Sequence, residues 1–160
     1  MMHQKAGRLA DASASYRRCV ELNPNAYAAW NNLGVVLMEQ GAAPLDSAAA
    51  FKRALEVSGD PHDPRPYENL GLLYDRAGYA DQSLEYYKLA LDREPNSLSA
   101  LRGTALAARK LQRADDRLAD VMRRGLMVET DKAWREVFER ERLRIEDQLR
   151  QQEKARREGR

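Results

Sequence analysis

The chain has 160 residues, of which 43% are hydrophobic and 32% charged, enough for one domain with a real core. Its 27 basic and 25 acidic side chains are interspersed and leave a net charge of +2, so it lacks the clustered basic surface that nucleic acid binding requires. No apolar run approaches the roughly 18 residues of a membrane span, and the opening MMHQKAGRLADAS has no apolar signal core, which makes the cytoplasm the default location.

The predicted elements run in order as follows. Residues 1–6 read as the tail of one helix, Gly7 as a turn, and residues 9–22 as the next helix, stopped by Pro24. Helices are then predicted over residues 26–40 and 45–57, with a one-residue insertion in the GAAPL turn between them. A proline-rich connector, SGDPHDPRP, leads to a helix over 64–77, with Asp63 as its N-cap and Pro64 as its first position. Another helix covers 80–93, and Asn96 or Ser97 caps one that runs to about residue 111. A weaker pattern follows over 114–125, and residues 131–158 read as one long helix. Its narrow apolar stripe is Trp134, Val137, Phe138, Ile145 and Leu149, and Glu136–Arg140, Glu146–Arg150 and Glu153–Arg157 are acid-before-base pairs at i,i+4. As a coiled coil the stripe is poor, because a register on Phe138, Ile145 and Leu149 brings Arg142 and Gln152 inward.

These helices repeat. Trp30, Leu33, Gly34, Leu37 and Gly41 are copied 37 residues later by Tyr67, Leu70, Gly71, Tyr74 and Gly78 (67 − 30, through 78 − 41). Ser83, Tyr87, Ala90 and Pro95 complete that unit, and Ser47, Phe51 and Ala54 are their counterparts upstream. Gly7, Ala12, Tyr16, Cys19 and Pro24 copy Gly78, Ser83, Tyr87, Ala90 and Pro95 at a displacement of 71 (78 − 7, through 95 − 24). Cys19 is therefore expected as a small core residue, not a nucleophile. Downstream the pattern decays, with Leu101 at the aromatic position and Thr104-Ala105 in place of Leu-Gly, as terminal repeats do.

An aromatic-x2-Leu-Gly-x2-Tyr run followed by a small residue, an aromatic and a proline resembles the tetratricopeptide repeat (TPR) family over residues 3–112. The fold expected is an all-α solenoid of antiparallel helix pairs. Its divisions are a truncated first repeat (1–25), repeats over 26–60 and 61–95, a degenerate pair over 96–128 and a long charged helix over 129–160. The N-terminal end should then have an incompletely covered apolar face. It is a piece of a longer repeat protein, or is covered by another copy, or is a tolerated frayed end. The long helix either caps the stack and projects an interaction arm, or is a solvated cap with a frayed basic end.

The resemblance implies a concave groove lined by the first helix of each pair. Its candidate residues are Asn31, Asn32, Val35, Met38 and Glu39, then Arg65, Glu68, Asn69, Leu72, Asp75 and Arg76, then Ser99, Arg102, Leu106, Arg109 and Lys110. Asn32 and Asn69 both precede Leu-Gly, and a carboxamide can meet a peptide N–H and C=O together. In superhelical members of the family such asparagines form a ladder along an extended ligand; here the third rung would be Gly103. The family's chaperone carboxylate clamp carries over to Asn31, Val35, Asn69, Ser99 and Gly103, of which only Asn69 matches. Charge along the groove reads as acidic at Glu39, Glu68 and Asp75 and basic at Arg102, Arg109 and Lys110.

No catalytic or metal-ligating set is present: His3 and His62 lack companions at ligand spacing, and there is neither a Gly-rich phosphate loop nor a CxxC. The chain is expected to be non-catalytic, without cofactor or metal, and without nucleic acid or membrane insertion. It would bind a protein or peptide partner in the groove as an adaptor. The alternatives are a scaffold that self-assembles through its N-terminal half-repeat or C-terminal helix, or an accessory domain of a larger protein.

Overall fold

The structure, a computed structural model, describes residues 2–60 and 62–159, with side chains from Gly7 onward. It is built from α-helices, with no strand among the described residues: α1 (Met2–Leu22), α2 (Tyr27–Glu39), α3 (Pro44–Val57), α4 (Arg65–Arg76), α5 (Ala80–Leu91), α6 (Leu98–Lys110), α7 (Asp116–Val128) and α8 (Lys132–Glu158). Each helix packs on the next. Beyond that, the backbones of α2 and α4, α4 and α6, and α6 and α8 come close, while among the described residues no two odd-numbered helices approach in this way and α5 meets α7 through the Arg117 side chain. A stack whose even helices meet and whose odd helices stand apart is curved, with the even layer on the inside. This is the predicted all-α solenoid.

The turns follow from local chemistry. Gly41 and Gly78 lie at φ +70° and +83°, a region that residues with a Cβ enter only at a cost. Each closes the same motif: Gly41 N–H donates to the Met38 carbonyl and Ala42 N–H to that of Leu37, and Gly78 and Tyr79 do the same to Asp75 and Tyr74. At the third such turn the left-handed residue is Gln112, at φ +51°, with Gln112 and Arg113 donating to Arg109 and Ala108. Three later N-caps are also explicit, since the Ser97, Asp115 and Asp131 side chains accept from Ala100, Leu118 and Trp134 N–H.

Aromatic rings fill the space that small residues leave between helices. Phe51 lies against Gly34, and Tyr87 is gripped between Gly71 on α4 and Gly103 on α6. Farther along the polarity reverses, with Phe138 on α8 set against Gly125 on α7. A large cluster runs from Leu84 through Leu101, Leu118 and Met122 to Ile145, and smaller clusters join α1–α3 and α3–α4.

The structure corrects the sequence reading in several places. Gly7 is not a turn but lies inside α1, because continuing the helix keeps its backbone hydrogen bonds. Cys19 is exposed, not buried. Its counterparts Ala54 and Ala90 are fully buried, whereas among the described residues α1 packs chiefly on α2 and buries Val20 instead. At α4 the flanking residue is Pro64 and the first helical residue Arg65, so Asp63 accepts from Arg65 N–H one step earlier than expected. On α8 the ion pairs are not the three expected ones but Glu139–Arg142, Arg142–Glu146, Glu141–Arg144, Asp147–Arg150 and Lys154–Glu158. The arm's apolar contacts end near Leu149, and residues 150–159 are exposed.

Candidate functional site

The inner layer is stitched near the N-terminal ends of its helices by polar contacts from one even helix to the approach of the next. The Tyr27 hydroxyl on α2 donates to Asp63 before α4, and the Ser97 hydroxyl before α6 donates to Glu68 on α4. Arg102 on α6 makes a two-pronged pair with Glu129 before α8, at 2.7 and 2.9 Å, and its guanidinium lies 5.0 Å from the Trp134 ring centroid. Glu129 is 2% exposed and also accepts from the Thr130 and Asp131 N–H groups. The Arg102 bond, helped by those two, overcomes desolvation and brings the Glu129 carboxyl down to about 2. Burial alone would raise Asp63, but bonds from Arg65 and Tyr27 outweigh it and hold that carboxyl below its usual value. Glu68 moves the other way, raised chiefly by burial.

These contacts commit many of the predicted groove residues to the fold. Arg65 grips Asp63 through Nε and Nη2, both at 2.9 Å, and Lys110 reaches Asp75 at 2.6 Å. With Arg102 on Glu129, Asp75, Arg102 and Lys110 of the expected acidic-to-basic gradient are paired within the fold. Glu39, Arg76 and Arg109 are exposed and form no ion pair among the described residues, and Ser99 is exposed too. Val35 and Met38 are half-buried against the α3–α4 cluster, and Leu72 and Leu106 are half-buried on α4 and α6.

The asparagines are arranged differently from the ladder. Asn69 Nδ2 donates to Asn31 Oδ1 at 2.9 Å, joining α4 to α2, while Asn32 is exposed. Gly103 is no vacant rung: a Cβ there would lie 2.2 Å from Tyr87 Cζ, so the ring occupies the place. Sequence reasoning missed Glu129 and the Tyr27–Asp63 contact. Nothing in the repeat pattern marks either, since both partners lie in connectors or first turns.

No group of three or more His, Cys, Asp or Glu side chains is placed to hold a metal among the described residues; the His3 side chain lies outside them. Nor is any helix among them long and apolar enough to cross a membrane. What the inner face offers is half-buried apolar side chains, a carboxamide pair and a few unpaired charges.

The sequence pattern of the tetratricopeptide repeat matches residues 3–64 and again residues 64–97. No functionally curated protein matches the chain by sequence. Among solved structures, a crystal structure of MamA protein superposes with a TM-score of 0.66 at 25% identity, covering 82% of this chain and 69% of that one. A second MamA crystal structure gives a TM-score of 0.68 at 14% identity and covers 94% of both chains, a likeness of fold alone. The fold is generally used for protein interaction or scaffolding and not for catalysis. With the repeat pattern, the glycine-ended turns and the stacked helix pairs in agreement, the chain belongs to the tetratricopeptide repeat family.

Proposed function

We propose that the chain is a non-catalytic adaptor that binds an extended peptide or a partner helix along its inner face. The observation that carries this is the half-buried Asn31–Asn69 pair bridging α2 and α4, beside Val35, Leu72 and Leu106 on successive even helices. The pair holds both carboxamides in place while leaving the Asn31 amide group and the Asn69 oxygen for a peptide backbone. Met38, Arg76 and Arg109 would select among side chains, and Asn32 would serve a ligand reaching past the pair.

The test is affinity capture from the source cell's lysate, comparing the native chain with an Asn31→Ala/Asn69→Ala variant by mass spectrometry. A discrete set of proteins lost from the variant, at an unchanged melting temperature, supports the reading. The expected weakening is about 1–3 kcal/mol, the scale of hydrogen bonds lost at a desolvated contact. Identical capture by both chains would refute it.

A second reading is a scaffold of like copies. Leu22 at 70% exposure near one end of the stack and Met127 at 82% and Leu143 at 50% near the other favour end contacts. A sedimentation series showing only monomer would exclude it.

A further inference from the structure

A cleft of 380 Å³ lies at the edge of the stack, between the start of α3 and the α4–α5 turn, and shares no residue with the inner-face candidates. Seven residues line it, among them Pro44, Leu45, Ala48, Tyr74, Tyr79 and Gln82. None carries a charge, in a chain whose residues are 32% charged. Leu45 is 80% exposed and Tyr79 52% exposed, an unusual degree for large apolar side chains standing together.

The rings form a preset corner. Tyr74 stacks on Tyr86 with centroids 5.3 Å apart and planes 4° apart. It meets Tyr79 edge-on, at 6.3 Å and 74°. Tyr79 is itself placed by the left-handed turn at Gly78, whose motif uses the Tyr79 N–H. Among the described residues, the tyrosine hydroxyls bonded within the protein are those of Tyr27 and Tyr67. Those of Tyr74 and Tyr79 are therefore free to donate outward, as is the Gln82 amide.

We propose that this cleft is a second binding site, for a short, uncharged, proline-containing peptide segment in the polyproline II conformation. Such a segment has flat apolar rings that pack on aromatic faces, and it has no internal hydrogen bonds, so its carbonyls need outside donors. The cleft supplies both in one place: two ring surfaces near a right angle, and hydroxyl and amide donors beside them. Its neutrality matches a ligand held by packing and carbonyl hydrogen bonds, with no ion pair. Size selects against a second copy, because a stable interface takes roughly 20–30 residues a side and this surface has seven. A partner helix needs a longer groove with anchors over about two turns.

The probe is an end-capped hexaproline peptide carrying fluorescein, titrated with the full chain and read by fluorescence anisotropy. Saturable binding is expected, weakened about fivefold or more by Tyr79→Ala, weakened also by Leu45→Ala, and unchanged by Asn69→Ala. Leu45 is too exposed for its truncation to threaten folding, so the test stands if Tyr79→Ala unfolds the chain. The proposal is overturned by no saturation up to about 1 mM, or by equal binding of the Leu45→Ala and Tyr79→Ala variants that remain folded. Equal binding of a capped Gly-Ser peptide of the same length would also overturn it, as would a concentration-dependent dimer abolished by Leu45→Asp, which would give the patch to a second copy.

Discussion

Replacing Gly103 by alanine tests whether that position is open groove or closed packing. In an open position on a helix the change would stabilise by up to about 1 kcal/mol, because alanine loses less backbone freedom on folding. The structure predicts the opposite sign. The added Cβ would sit 2.2, 2.3 and 2.6 Å from three carbons of the Tyr87 ring, where carbon contacts settle at about 3.5–4.0 Å. The ring has little room to yield, because it already lies so close to the Gly71 backbone that a Cβ there would be 2.8 Å from it, and Tyr87 is 4% exposed. Overpacking of this kind costs about 1–3 kcal/mol, and pressure from two sides places it at the upper end. The expected net effect is a loss of about 1–2 kcal/mol after the helix gain. The control is Gly7→Ala in α1, where nothing lies within 4 Å and the helix gain should appear alone. Thermal unfolding followed by circular dichroism resolves the two, since 1 kcal/mol shifts a domain of this size by about 2–4 °C. Combining Gly103→Ala with Tyr87→Leu should recover about 1 kcal/mol or more as a coupling term. If Gly103→Ala melts at or above the native temperature, the packing argument is wrong.

Further outcomes are expected elsewhere. Gln112→Gly should raise the urea midpoint, because glycine holds the left-handed turn without the Cβ clash, relieving about 1–2 kcal/mol against about 0.4–1 kcal/mol of added unfolded-state freedom; an unchanged or lower midpoint would contradict the turn geometry. Glu129→Gln should destabilise by about 2–3 kcal/mol through loss of a buried charge-assisted pair, read by chemical denaturation. The Glu129 carboxyl falls from an ordinary 4.5 to about 2 in the folded chain, so its contribution is present above pH 4.5. About 3 kcal/mol of it drains away as pH drops from there through 2. Native protein and Glu129→Gln should therefore converge in stability at the acid end of that window, and parallel curves across it would refute the assignment.

Much of the fold was legible from local chemistry. Gly41 and Gly78 mark left-handed helix ends that local chemistry favours, because glycine enters that region without a Cβ clash, although the matching Gly7 stays helical. The Leu33-Gly34 and Leu70-Gly71 pairs, with Phe51 and Tyr87 downstream, mark small-and-large partners at helical spacing. Their recurrence made helix boundaries readable to within a few residues and placed Val35, Met38, Leu72 and Leu106 on helices α2, α4 and α6.

Tertiary contact decided what the repeat pattern treats as equivalent. By register Cys19, Ala54 and Ala90 are alike, yet only the latter two have helices on both sides, so one is exposed and the others enclosed. Gly103 matches Asn69 in register but faces a Tyr87 ring that fills its place. Arg102 reads as a free groove cation until Glu129, 27 residues on, is brought beneath it. The cleft in front of Tyr74 and Tyr79 exists only because α3 starts beside the α4–α5 turn. A repeat fixes each residue's position on its own helix; its neighbour across the gap depends on how successive helices stack, and burial and pairing are properties of that gap.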